Sequence, residues 1–114
     1  MGVNIKLNGE VVSKARYCES FFSKTKGLMF SKKLKKGRSL ILVDDFEPRF
    51  GSVIGMFFVF FPLDIIFLDS NKKVVDVRDA KPFQSYIAPK KSAKYAIEMN
   101  KGENILKIGD KVTF

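Results

Sequence analysis

A carboxylate stands inside the most apolar run of the chain. In Met56 to Asp69, MFFVFFPLDIIFLD, Asp64 follows Pro62-Leu63 and precedes Ile65-Ile66-Phe67-Leu68. An acid in such a setting either meets hydrogen-bond donors at the start of a strand or suffers a desolvation penalty that raises its pKa. The second condition would suit a general acid or base, so Asp64 is the candidate catalytic residue, with a lysine such as Lys26 or Lys81 beside it. The competing role is that of a carboxylate capping a turn or pairing with a cation, and structural pairs perturb carboxylates as readily as active sites do. Asp110, in Gly109-Asp110 ahead of the C-terminal residues, faces the same alternatives, and holding backbone N–H groups in a tight turn is its ordinary role.

Other chemistries are excluded by composition. The chain has no histidine and a single cysteine, Cys18, so it cannot assemble the nitrogen and sulfur ligand sets of zinc and copper sites. Ser-His-Asp and Cys-His nucleophile pairs are removed with them, leaving lysine and carboxylate as the available bases. No P-loop, dinucleotide fingerprint or EF-hand loop is present. Asp44, Asp45 and Glu47 fall short of the six or more oxygens that calcium takes. No metal and no cofactor is expected, and Cys18 reads as a small core residue rather than a reactive thiol.

Charge supplies the remaining candidates. The formal net charge is +9, from 21 basic and 12 acidic residues. Residues 24–38 carry Lys24, Lys26, Lys32, Lys33, Lys35, Lys36 and Arg38 and no acid, a density that attracts polyanions. Lysine dominates the cations, however, and lysine is a hydrated point charge rather than a fork that reads bases. Phe57, Phe58, Phe60 and Phe61 could be imagined as a base-stacking platform, but no Lys or Arg occurs between Phe50 and Lys72. Such platforms interleave aromatics with cations, so core packing is the expectation for these rings. The ligand-binding candidates are Lys26, Arg49, Arg78, Lys81, Tyr86 and Lys90; if they and Lys91 converge around the segment 81–93, which sequence does not show, Tyr86 and Phe83 would line a cleft for an anionic ligand.

The elements that must position these groups are mostly strands. Val3 to Leu7 and Val11 to Tyr17 alternate around Asn8-Gly9, a strong hairpin signal. Residues 19–30 place Phe21, Phe22, Thr25, Leu28 and Met29 near one face of a short, imperfect helix. Ser39 to Val43 reads as a buried strand, 44–51 as a loop, and 52–61 and 63–68 as two strands broken at Pro62. Asp69 to Lys72 forms a turn, from which a strand opening at Val74 pairs back on 63–68. Residues 81–93 form a long loop, the first place to look for function. Lys94 to Asn100 is a strand, Ile105 to Ile108 coils once, and Lys111 to Phe114 is the final strand.

With 114 residues, of which 46% are hydrophobic and 12 are Phe, one domain spanning 1–114 with one sizeable core is expected. A lone cysteine favours a reducing cytoplasm over a secreted, disulfide-stapled scaffold. The first ten residues contain no apolar segment of signal-peptide length. The run 53–68 is shorter than a bilayer demands and contains Pro62 and Asp64, so no membrane span is expected.

Several segments, in order, resemble the family known as domain of unknown function 192. They are KGLMF at 26–30, Leu34, the apolar strand at 39–43, Met56 and PLDIIFLD at 62–69. Val74-Val75, Pro82, Tyr86, AKYAIEM at 93–99, Gly102 and IGDKV at 108–112 extend the resemblance across roughly 10–113. The resemblance implies a mainly β, jelly-roll-like or barrel-like domain and no established activity. Typical members carry a polar Lys-Asn-Thr-like stretch after the central Met, where this chain has Phe57-Phe58-Val59, and many relatives carry an export segment.

The resulting expectation is a compact, mainly β antiparallel jelly-roll-like or barrel-like domain with one or two short helices. A non-catalytic cytoplasmic binding or accessory module, taking an anionic small molecule or an acidic partner, is the leading function. The alternatives are an enzyme using Asp64 with a nearby Lys, and nonspecific nucleic-acid binding through residues 24–38, which is not favoured.

Overall fold

In the computed structural model, which describes residues 2–18, 34–43, 61–82, 87, 89–91 and 93–114, Asn8 and Gly9 take φ values of 52° and 84°. That left-handed pair is what a two-residue hairpin turn requires. It joins β1 (Gly2–Leu7) to β2 (Glu10–Cys18) in antiparallel register. The other strands are β3 (Arg38–Val43), β4 (Leu63–Leu68), β5 (Val74–Ala80), β6 (Tyr95–Asn100) and β7 (Val112–Thr113). They form one sheet in the order β5-β4-β6-β3-β2-β1-β7.

The sheet curls into a seven-strand half-barrel. Register shifts at Ile5/Lys6 and Phe67/Leu68 are irregularities of the kind that bend a sheet. The outer strands β5 and β7 are drawn together where Lys73 bridges Lys111. There Val74 N donates to Asp110 O at 2.8 Å, and Val112 N to Lys72 O at 3.0 Å. One pair departs from the expected antiparallel sheet: β2 and β3 run parallel, Ala15 opposite Ser39 and Tyr17 opposite Ile41. Residues 19–37 separate them, long enough for the crossover that parallel neighbours need.

Side-chain alternation divides the core in two. Ile5, Ala15, Ile41, Ile66, Val74, Ile97 and Val112, one from each strand, share a cluster with Leu68, Met99 and Leu106. A cluster fed by every strand of a curled sheet is its interior. Leu40, Leu63, Ile65, Phe67, Ala80 and Ala96 come from β3 to β6 alone and pack on the outer face with Phe61, Ile87 and Ala93. Strand β4 is buried along its whole length, which explains a continuous apolar run where a half-exposed strand would alternate.

The predicted turn at Asp69 to Lys72 is present. Asp69 Oδ1 accepts the N–H groups of Asn71 at 2.9 Å and Lys73 at 3.0 Å, while Lys72 takes φ 64°. The expected coil at Ile105 to Ile108 is absent. Asn104 brackets Leu106 instead, accepting from its N–H at 2.8 Å and donating to its carbonyl at 3.0 Å, so side-chain hydrogen bonds displace the helical ones. Among the described residues there is no helix, and no helix long and apolar enough to cross a membrane. The helix predicted at 19–30, the loop at 44–51 with Asp44, Asp45 and Glu47, and all but Phe61 of the strand predicted at 52–61 lie outside the described residues.

Candidate functional site

Strand pairing sets Arg78, Ile65, Glu98, Leu40 and Arg16 side by side across β5, β4, β6, β3 and β2. Directly opposed residues share a face, and Ile65 and Leu40 assign this row to the outer one. The next row toward the β6 start holds Asp76, Phe67 and Ala96; the next toward its end holds Ala80, Leu63 and Asn100. Among the described residues, the outer face therefore carries three buried polar groups: Asp76, Glu98 and Asn100.

Glu98 is the most perturbed of them. Flanked by Ile65 and Leu40, its carboxyl is pushed by burial up to about 7, because a low-dielectric surrounding disfavours the charged form. Near neutral pH it is poised between acid and carboxylate. Asn100, two residues on, donates through Nδ2 to Leu34 O at 2.6 Å and to Glu103 Oε2 at 3.1 Å. Those two acceptors fix the amide orientation, and among the described residues its buried Oδ1 has no partner.

Asp76 is fully engaged. Oδ1 accepts from Val77 N at 2.9 Å and Oδ2 from Lys90 N at 2.9 Å. Arg78 Nη1 lies 3.6 Å from Oδ2. One buried carboxylate thus holds Arg78 of β5 and the backbone of Lys90 together. Lys81 is exposed just past the end of β5. Nearby Asp79 has its pKa lowered by its hydrogen bond and charge contact with Lys101, Nζ to Oδ1 at 3.0 Å, with smaller contributions from a hydrogen bond with Asp64 and from the charge of Lys81.

Asp64 is elsewhere. It lies opposite Met99 and Asp79, in phase with Ile66 and Leu68 on the interior side. Its Oδ2 accepts from Gly102 N at 2.9 Å, the geometry of a carboxylate that caps a turn. Asp110 does the same for Lys107 N at 2.9 Å. Of the residues singled out in the sequence, then, Arg78 and Lys90 meet at Asp76, Lys81 lies just past the end of β5 with its charge acting on Asp79, and Asp64, opposite Asp79, faces away from Arg78 and Lys90. Lys26, Arg49, Tyr86 and Phe83 lie outside the described residues, as does the side chain of Cys18.

Sequence reasoning passed over Asp76, Glu98 and Asn100. The available signal was the alternation of YAIEMN, which groups Glu98 and Asn100 with Ala96. Reading that face as buried requires knowing that β6 is central, which is a property of strand order.

The profile of the domain of unknown function 192 family, DUF192, described as uncharacterized ACR, matches residues 3–114. The chain belongs to the DUF192 family. Two uncharacterised relatives of the UPF0127 group match it over nearly their whole length. One from Pyrococcus abyssi (strain GE5 / Orsay) is 40% identical over 117 residues, covering 98% of this chain and 97% of that protein. Another, from Pyrococcus horikoshii, is 42% identical over 113 residues, covering 96% and 90%. Among solved structures, a protein of unknown function from Novosphingobium aromaticivorans DSM 12444 superposes with a TM-score of 0.83 at 23% identity, covering 99% of this chain and 85% of that one. A Sinorhizobium meliloti 1021 protein, described as a candidate transcription regulator, gives a TM-score of 0.88 at 16% identity, covering 99% and 93%. At these identities the two structures establish the DUF192 fold alone. The family match includes β1, ahead of the region in which the sequence motifs were recognised.

Proposed function

We propose that this DUF192 protein is a non-catalytic cytoplasmic binding or accessory module whose ligand is an anionic small molecule or an acidic partner, taken at the outer edge of β5. The observation that supports this reading is the double attachment at Asp76: a buried carboxylate orders the Lys90 segment and holds the Arg78 guanidinium at one spot on an edge strand. Arg78 keeps its side chain 39% exposed there, and Lys90, whose amide is bound to the same carboxylate, and its neighbour Lys91 are exposed. A fork-shaped guanidinium steadied by a carboxylate, beside an attached segment that carries two lysines, is suited to carboxylate or phosphate groups.

Acid or base catalysis by Asp64 has less support, because its carboxylate is occupied by the Gly102 amide and lies on the opposite side of the sheet from Arg78 and Lys90. The cytoplasmic assignment rests on the single cysteine.

The test is calorimetric titration of the full chain with inorganic phosphate, a nucleoside triphosphate, polyglutamate and RNA, at low and high salt. Salt-sensitive binding that weakens about tenfold or more in Arg78→Ala, as expected on losing a charged hydrogen bond, supports the proposal. No salt-sensitive binding to any probe, or binding indifferent to Arg78, Lys81 and Lys90, overturns it. Binding confined to RNA and lost in Lys35→Glu/Lys36→Glu would transfer the function to nucleic acid.

A further inference from the structure

We infer that the connection between β6 and β7 is a docking surface for anionic lipid bilayers, with Ile105 and Ile108 as apolar anchors and Lys73, Lys107 and Lys111 as headgroup contacts. This surface is separate from the Asp76 site and does not depend on it.

Among the described residues, the exposed large apolar side chains are Val11, Ile105 and Ile108, and the two isoleucines are the most exposed, at 63% and 68%. Both sit in one short connection, and that connection is firmly held. Leu106, between them, is buried in the barrel interior. Asn104 clasps Leu106 through both its N–H and its carbonyl. Asp110 Oδ2 accepts from Lys107 N, Asp110 N returns a bond to Lys107 O at 3.0 Å, and Gly109 N donates to Val74 O at 2.9 Å. A loop pinned at its centre and at its far end presents Ile105 and Ile108 outward as a consequence of its fold.

The surrounding charge indicates what covers them. Lys107 lies between the isoleucines in sequence and Lys111 three residues beyond Ile108. Lys73 is brought alongside by the bridge to Lys111, and all three side chains are exposed. The nearby acids are engaged by the fold, Asp69 by the amides of Asn71 and Lys73, Asp110 by that of Lys107, and Glu103 by Gly37 N and Asn100 Nδ2. Protruding branched apolar groups on a connection that carries lysines and is bridged to another match the boundary of an anionic membrane, where acyl chains accept the isoleucines and phosphates the ammonium groups. Lysine suits the diffuse field of a headgroup layer, which requires no bidentate geometry.

The chain contains no tryptophan, so Ile108→Trp introduces a unique fluorophore at the anchor. The expected result is a blue shift with vesicles of phosphatidylcholine mixed with phosphatidylglycerol, little shift with phosphatidylcholine alone, and reversal at high salt. The unsubstituted chain should co-sediment with the mixed vesicles, Ile105→Ser/Ile108→Ser should not, and Lys107→Ala should bind about fivefold more weakly. Absence of co-sedimentation, equal binding to both vesicle types, or undiminished binding of the serine variant overturns the inference. So does a blue shift produced without lipid, whether by polyglutamate or by raising the protein concentration, which would identify an acidic polypeptide or a second copy as the occupant.

Discussion

Gly102 donates its amide to Asp64 Oδ2 across 2.9 Å, so the acid at the head of β4 holds the turn that follows β6. That bond gives the carboxylate inside PLDIIFL a structural purpose. Asp64→Ala should lower unfolding stability in urea by about 1–3 kcal/mol, the cost of an orphaned donor and a lost charged hydrogen bond. Asp64→Asn, which keeps an acceptor, should recover most of the loss.

Glu98 makes stability depend on pH. Its carboxyl is raised from an ordinary 4.5 to about 7 in the folded chain, so between those values the native state holds a proton that the unfolded state has released. The associated stability is fully present below about pH 4.5, declines as pH rises through about 7, and then levels off; at 1.36 kcal/mol per unit it amounts to about 3 kcal/mol. Glu98→Gln should flatten this slope in denaturation curves measured from pH 4 to pH 8, and should be the more stable protein at the upper end.

Asp76→Ala removes the acceptor from two backbone amides, Val77 and Lys90, and should destabilise the fold by about 2–4 kcal/mol. Hydrogen exchange should accelerate first at the Lys90 amide, since Val77 keeps its place in the sheet. Asp76→Asn should show the smaller effect.

Ser13 Oγ and Ser39 Oγ lie 2.7 Å apart, buried at the parallel junction of β2 and β3, and Ser13 also reaches Gly37 O at 3.1 Å. Ser13→Ala strands Ser39 and should cost about 1–2 kcal/mol in chemical denaturation. Ser13→Ala/Ser39→Ala should cost less than the sum of the single changes, because no buried hydroxyl is then left without a partner.

Local signals were legible wherever a short segment decides its own conformation. Asn8-Gly9 announced its hairpin because few residues other than Asn and Gly accept positive φ cheaply. Asp69 to Lys72 announced its turn, and the apolar content of Leu63 to Leu68 announced a core strand. Ile105 to Ile108 misled because apolar spacing suggested one helical coil, whereas Asn104 competes for the backbone of Leu106. The parallel pairing of β2 with β3 carried no local mark, since it depends on the path taken through residues 19–37.

The candidate sites divide along the same line. The sequence by itself determined the strand-forming patterns, the excess of lysine and the absence of histidine, because these reside in residue types and near-neighbour spacing. Only the tertiary structure decided that β6 lies inside the sheet between β4 and β3, where Glu98 is buried and its pKa raised. It likewise decided that Asp76 joins Arg78 to Lys90 and that Asp64 points the other way. Burial and long-range pairing are properties of strand order, and strand order is set by the packing of the whole chain.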